Sequence, residues 1–251
     1  MNSIQEILNR IDEKKRKLDS FRPLPAALVK NLDDWFAIEL TYTSNAIEGN
    51  TLSMSETALI VEKGITIGGK TIREHLEAIN HAQAINYIMG LAQKKQSEIV
   101  LDDILSIHKL ILQKIDDINA GAFRKQMVRV MGSSTIFPNS AKVPFLMTEF
   151  MIWLHSASEH PVIIAALAHY KLVTIHPFID GNGRTARLLM NLLLLQHGYP
   201  FAIIKKEKRP EYISAIEYAR SNDDMSKFYT IICQAVEYVL DGYLEAAEQT
   251  I

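Results

Sequence analysis

The chain has 251 residues, 48% of them hydrophobic and 22% charged, with a formal net charge of −2. That length buries a sizeable core in one large domain or two small ones, and the near-neutral balance supplies no basic field for nucleic acid. The one cysteine, Cys233, excludes a disulfide framework and a cysteine-based metal site.

The N-terminal stretch MNSIQEILNRIDEKKRKLD is amphipathic and highly charged, without the apolar centre of a signal peptide. The longest apolar run, Leu192 to Leu195 with its neighbours, is far short of a membrane span. A cytoplasmic, reduced protein with no membrane partner is the expectation. Apolar residues recur at three and four positions along most of the chain. This spacing predicts helices over 2–19, 25–46, 53–63, 72–93, 101–114, 143–157, 161–174, 184–197, 209–220 and 226–248.

In the first of these, the basic cluster Lys14 to Lys17 reads as a solvated face. The second ends at Thr43-Ser44-Asn45-Ala46-Ile47-Glu48-Gly49-Asn50, which by itself is a helix terminus with Glu48 exposed and Gly49 as its cap. Ser53 with Glu56 forms a capping-box pattern at the third. The stretch Gly64 to Thr71 has the spacing of a phosphate-binding loop, but its surroundings are helical and offer no parallel sheet, so it reads as a turn. Trp35 and Trp153 read as packing residues. His108, His169 and His197 have no metal-ligand spacing, and His169 reads as a hydrogen-bonded core residue. Met127 to Val143 breaks the helical pattern: alternating Val128 and Val130, then Gly-Ser-Ser, predict a small irregular β-hairpin. No helix-turn-helix pattern follows residue 220, and the tail is acidic.

The helices over 161–174 and 185–196 are apolar around most of their circumference, so they belong at the centre of a bundle and hold the loop between them rigidly. That loop runs His176-Pro177-Phe178-Ile179-Asp180-Gly181-Asn182-Gly183-Arg184-Thr185-Ala186-Arg187. Its two glycines let the backbone turn sharply and present N–H groups. A helix starts immediately afterwards, so its unpaired N–H groups and positive dipole end face the same place. Arg184 and Arg187 share one face of the first turn, and guanidinium groups suit phosphate. Asp180 fits that anion site by holding a cation, as Mg²⁺ takes a carboxylate or two plus phosphate oxygens. His176, at the other end, can accept a proton near neutral pH.

This stretch matches in full the Fic signature, His-x-Phe-x-(Asp/Glu)-Gly-Asn-Gly-Arg-x-x-Arg, and the resemblance extends from about Thr43 to Tyr212. The resemblance implies an ATP-dependent protein adenylyltransferase. His176 would take the proton from a target Ser, Thr or Tyr hydroxyl, and Asp180 would hold Mg²⁺. Gly181, Asn182 and Gly183 would cradle the α- and β-phosphates, with Arg184 contacting them and Arg187 gripping the γ-phosphate. Tyr212 lies where the family places an aromatic contact to adenine, although any core tyrosine would look the same. The hairpin over 127–143 would be a flap on which an extended protein substrate docks by strand addition.

Ser44, Glu48 and Gly49 resemble the family's inhibitory motif, (Ser/Thr)-x-x-x-Glu-(Gly/Asn), which implies that Glu48 pairs with Arg187 and displaces the γ-phosphate. In some relatives the same glutamate assists removal of AMP, so the reverse reaction stays open. A non-catalytic nucleotide-binding module is the remaining alternative, and the resemblance leaves room for a homodimer. The expected architecture is all-α: one Fic-type helical bundle over 1–251 with a small β-hairpin flap. Its N-terminal helices span 1–60, its core spans 61–220, and a last helix spans 221–251.

Overall fold

The computed structural model describes residues 4–129 and 135–249. Within them the chain is helical: α1 (Ile4–Ser20), α2 (Ala26–Ile47), α3 (Met54–Lys63), α4 (Ile72–Leu91), α5 (Leu101–Leu112), α6 (Val143–Ser156), α7 (Pro161–Ile175), α8 (Asn182–Gln196), α9 (Arg209–Asn222) and α10 (Ser226–Glu248). The local reasons are visible in the termini. Ser53 accepts the Glu56 backbone N–H at 3.2 Å while the Glu56 carboxylate accepts that of Ser53 at 2.7 Å, which satisfies two orphan donors of α3. Thr71 and Glu74 repeat the device on α4. The glycine-rich stretch before α4 is the expected turn: Gly64 caps α3 in the left-handed conformation at φ 65°, and among the described residues no strand precedes it.

Helix α8 is the axis of the molecule. Leu188, Leu189, Met190, Leu192, Leu193 and Leu194 are all fully buried, and α7, α4 and α5 pack around it. Truncating one such leucine to alanine removes about 2–5 kcal/mol, so the start of α8 is held by the least yielding part of the core. Buried Asn191 fixes the chain that leaves α8: its amide accepts from the Ala202 backbone N–H at 2.7 Å and donates to the Arg187 carbonyl at 3.0 Å.

Three expectations change. The basic face of α1 is not simply solvated: Lys14 meets Glu237 at 2.7 Å and Asp241 at 2.6 Å, both on α10. The apolar face of α1, with Ile7, Leu8 and Ile11, is buried along the same helix pair. Trp35 is not a packing residue; it is 58% exposed on α2 beside a groove with Ile38, Met54 and Ala58. Of the expected hairpin over 127–143, residues 130–134 lie outside the described residues. The described remainder holds no strand: 127–129 and 135–139 are irregular, 140–142 form a 3-10 turn and Val143 begins α6. Side chains replace ladder bonds at its roots. Arg124 donates to the carbonyls of Gln126 at 3.0 Å and Pro138 at 2.6 Å, and Ser140 donates to that of Lys125 at 3.1 Å. Among the described residues no helix is long and apolar enough to cross a membrane.

Candidate active site

The loop between α7 and α8 is clamped from within and from both sides. His176 ends α7 in the left-handed conformation at φ 52°, which a non-glycine residue holds only where the surroundings over-determine it. Phe178 stacks on His108 with ring centroids 3.6 Å apart. The Asn182 amide accepts from the Phe178 N–H at 3.0 Å and donates to its carbonyl at 2.9 Å. His108 Nδ1 accepts the Gly121 N–H at 3.0 Å, so its Nε2 carries the proton and donates to the Asp180 carbonyl at 3.0 Å. Gly181, at φ 77°, then turns the chain into α8. The first-turn N–H groups of Asn182, Gly183 and Arg184 thus have no intrahelical acceptor.

A cavity of about 170 Å³ opens in front of this turn, lined among others by His176, Gly183, Arg187, Glu48, Tyr212 and Arg209. The His176 ring stacks on Phe137 at 3.9 Å, and its Nδ1 lies 3.3 Å from the Val173 carbonyl. A carbonyl only accepts, so Nδ1 carries the proton and Nε2 is left as the acceptor. Burial first, then the nearby Arg124 and Arg220 charges, lower the His176 pKa to about 4, while the Val173 carbonyl and Glu48 work the other way. At neutral pH this is an uncharged base.

Arg187 is 2% exposed and each of its three guanidinium nitrogens has a partner. Nε donates to the Ser44 hydroxyl at 3.0 Å and Nη1 reaches the Tyr212 hydroxyl at 3.4 Å. Nη2 donates to the Ser44 carbonyl at 2.9 Å and to Glu48 Oε1 at 2.7 Å. The Glu48 carboxylate lies against the open end of α8: a Cβ on Gly183 would fall well inside contact distance of its Oε1. Negative charge is favoured there by both the dipole and the unpaired N–H groups.

A family model described as Fic/DOC matches residues 98–194. Among solved structures, Fic-1 (aa134 - 508) from C. elegans is 33% identical with a TM-score of 0.88, over 99% of this chain and 74% of that one. The chain belongs to the Fic/DOC family. A Fic domain containing signaling protein from Bacteroides thetaiotaomicron is 27% identical with a TM-score of 0.89, over 95% of this chain and 97% of that one. The curated protein adenylyltransferase Fic of Culex quinquefasciatus is 40% identical over 98% of this chain and 49% of its own length. That of Nematostella vectensis is 39% identical over 96% and 56%. The chain spans about half the length of the curated relatives it matches.

The residues singled out in the sequence, from the signature loop, the Ser44-to-Gly49 motif and Tyr212, fall into two groups. His176, Gly183, Arg187, Glu48 and Tyr212 meet at the cavity, with Ser44 behind Arg187 and Gly49, at φ 101°, making the turn past Glu48. Asp180, Asn182 and Arg184 lie on the other side of the turn. The Asn182 side chain is spent on the loop itself. Asp180 faces outward, with Oδ2 2.9 Å from Arg73 and Oδ1 3.6 Å from Arg184. Arg184, 2% exposed, meets Glu77 at 3.3 Å. Tyr212 also donates to or accepts from His169 at 2.7 Å, so its hydroxyl serves as a prop for Arg187.

Sequence reasoning missed Arg124, Arg209, Glu77 and the part His108 plays. Buried Arg124 donates to the His176 carbonyl at 2.7 Å as well as to the carbonyls of Gln126 and Pro138, and Arg209 donates to the Ile47 carbonyl at 2.6 Å, next to Glu48. Of these, Arg124 alone lies in a stretch, Gly121 to Arg124 ahead of the break at Met127, that the family resemblance includes. Arg124→Ala leaves three carbonyls without their donor and is expected to cost about 1–3 kcal/mol of stability; an unchanged urea midpoint would refute that role.

Burial lowers the pKa of His81 and His169 to about 3 and of His108 to about 4, from an ordinary 6.5. Folded pKa values below the unfolded value mean that the unfolded chain binds more protons. The stability is present in full above pH 6.5 and is lost as pH falls towards 4 and below, each histidine adding up to about 1.4 kcal/mol per pH unit. The urea midpoint is therefore expected to fall steeply between pH 6.5 and 4, and a flat profile there would contradict it.

Proposed function

We propose that this chain is an autoinhibited protein adenylyltransferase that moves AMP from ATP onto a Ser, Thr or Tyr hydroxyl of a target protein. One arrangement supports the reading above all: a neutral imidazole, an open helix N-terminus and a buried arginine around one cavity, with the Glu48 carboxylate on that arginine. The curated relatives named protein adenylyltransferase Fic support the same activity. The target oxygen attacks the α-phosphorus as His176 Nε2 takes its proton, and the bond from the α-phosphorus to the bridging oxygen breaks. Pyrophosphate leaves and AMP stays on the target. Positioning and charge neutralisation carry such a transfer. Asn182 and Gly183 offer backbone N–H groups to the phosphates, while Gly181, whose N–H is donated to Asp180 Oδ1 at 2.6 Å, shapes the turn; Arg184 stiffens their far side, and Arg187 takes the γ-phosphate once Glu48 leaves it. Tyr212 closes the cavity on the side assigned to adenine.

A divalent cation fits the donor set. Among the described residues no group of three or more His, Cys, Asp or Glu could hold a metal, so an ion here depends on phosphate oxygens added to one carboxylate, as Mg²⁺ prefers. Asp180 would hold it, and the ion would supply charge neutralisation on the phosphates. The flap over 127–143 takes an extended segment of the target; support comes from Arg124, which ties both flap roots to the His176 carbonyl.

The Glu48 carboxylate, 38% exposed, shares the cavity with His176, which favours removal of AMP from a modified target as a second reading. The reading also includes a cytoplasmic location, checked by fractionation, and a homodimer, checked by sedimentation. The deciding experiment follows ATP labelled at the α- or γ-phosphate, and then CTP, GTP and UTP, with Glu48→Gly in lysate. Label from the α-phosphate alone should enter protein. No transfer from any nucleotide would favour a non-catalytic nucleotide-binding module.

A further inference from the structure

Asp180 already has a cation. The Arg73 guanidinium, from the first turn of α4, lies 2.9 Å from Asp180 Oδ2 in hydrogen-bonding geometry. Its Nε also donates to Glu77 Oε1 at 3.2 Å. Glu77 is in demand from several sides: its Oε1 lies 3.3 Å from Arg184 Nη1, and its Oε2 accepts from the Asn50 amide at 2.9 Å. Arg184 is the underserved member. Its buried Nε and Nη1 have no hydrogen-bond partner of good geometry, a costly state for buried charged donors. The Arg73 side chain is 58% exposed, so it can swing into solvent at little cost.

We propose that Arg73 is a resident plug on the cation-binding carboxylate, occupying the outer oxygen of Asp180 until a divalent ion arriving with nucleotide displaces it. This rests on the reading of Asp180 as the cation ligand. Displacement removes one of two guanidinium groups competing for Glu77 and frees that carboxylate for Arg184, so the cost of expelling Arg73 is partly returned inside the loop. Arg73 is thus a positioning residue that raises the concentration of cation needed to load the site. It acts through Asp180 and touches no reacting atom. An exposed pair of this kind is worth little, so its loss should change cation affinity by roughly two- to fivefold.

The test measures retention of Mn²⁺ by the full chain with the non-transferable analogue α,β-methylene-ATP, reading free Mn²⁺ by electron paramagnetic resonance. Arg73→Gln is expected to tighten Mn²⁺ retention by that factor, and Arg73→Lys, which keeps the charge, to stay near the parent. In an Asp180→Asn background, which should itself weaken retention, Arg73→Gln should have no effect. If Asp180→Asn weakens retention but Arg73→Gln leaves the parent unchanged or weaker, the plug is wrong and the cation assignment stands. If Asp180→Asn leaves retention as it was, the cation assignment fails and the plug fails with it. Equal tightening by Arg73→Gln with and without Asp180 would make the effect a general one of surface charge and would also overturn the proposal.

Discussion

Replacing Glu48 with glycine is expected to raise transfer of AMP by on the order of a hundredfold. Glu48 Oε1 meets Arg187 at 2.7 Å in a site where the arginine is 2% exposed. Removing one partner of a fully buried pair costs about 3–5 kcal/mol; because the Glu48 carboxylate is 38% exposed and solvent screens it, the lower end of that range is the upper bound here. In this cavity the γ-phosphate can supply the missing negative charge, so much of that cost is returned as nucleotide binding in the transfer geometry. At about 1.4 kcal/mol per decade, 3 kcal/mol corresponds to roughly a hundredfold. Ser44 and Tyr212 still hold the guanidinium in place, so the site survives the substitution. The change also removes the carboxylate packed against Gly183, where the phosphates need the open N–H groups. Two measurements check this: labelled transfer, and the rise in melting temperature with ATP, which should be larger in the variant. Equal transfer by parent and variant would remove the inhibitory role of Glu48.

The second large effect is at His176. In the Glu48→Gly background, His176→Ala is expected to lower transfer by about 10²- to 10⁴-fold, the usual contribution of a positioned general base. Nucleotide binding should persist, because the proposed reading assigns the phosphate contacts to α8 and Arg187. The pH dependence has a definite sign. A pKa lowered to about 4 keeps the imidazole in its accepting form through pH 6–8, so His176 contributes no titration there and transfer falls only on approach to pH 4. Glu48 raises this pKa, so its removal shifts that acid limb lower still. An activity limb near 6.5 that vanishes in His176→Gln would show an ordinary solvated histidine instead.

The fold was legible where periodicity is strong. All ten expected helices are present with ends moved by only a few residues, since helices packed on a core need a repeating apolar face. The start of α8 at Asn182 rather than 184 was not legible, because it depends on the Asn182 amide bonding back to Phe178. Trp35 was misjudged because propensity and size say nothing about which face of α2 finds a neighbour. Lys14 was misjudged for the same reason: its carboxylate partners sit more than 200 residues away on α10.

By itself the sequence determined the loop's chemistry. Histidine, aspartate, two glycines and two arginines at fixed spacing beside a helix start bring a proton acceptor, a carboxylate and anion donors onto one loop, because their spacing along the chain and the helix start are local properties. Tertiary structure alone decided how those groups divide. Arg184 and Arg187 are neighbours on one helical face, yet one turns to Glu77 under the loop and the other to Ser44 and Glu48 in the cavity. A buried guanidinium goes where a carboxylate waits, and which helix brings that carboxylate is settled by packing between segments distant in sequence.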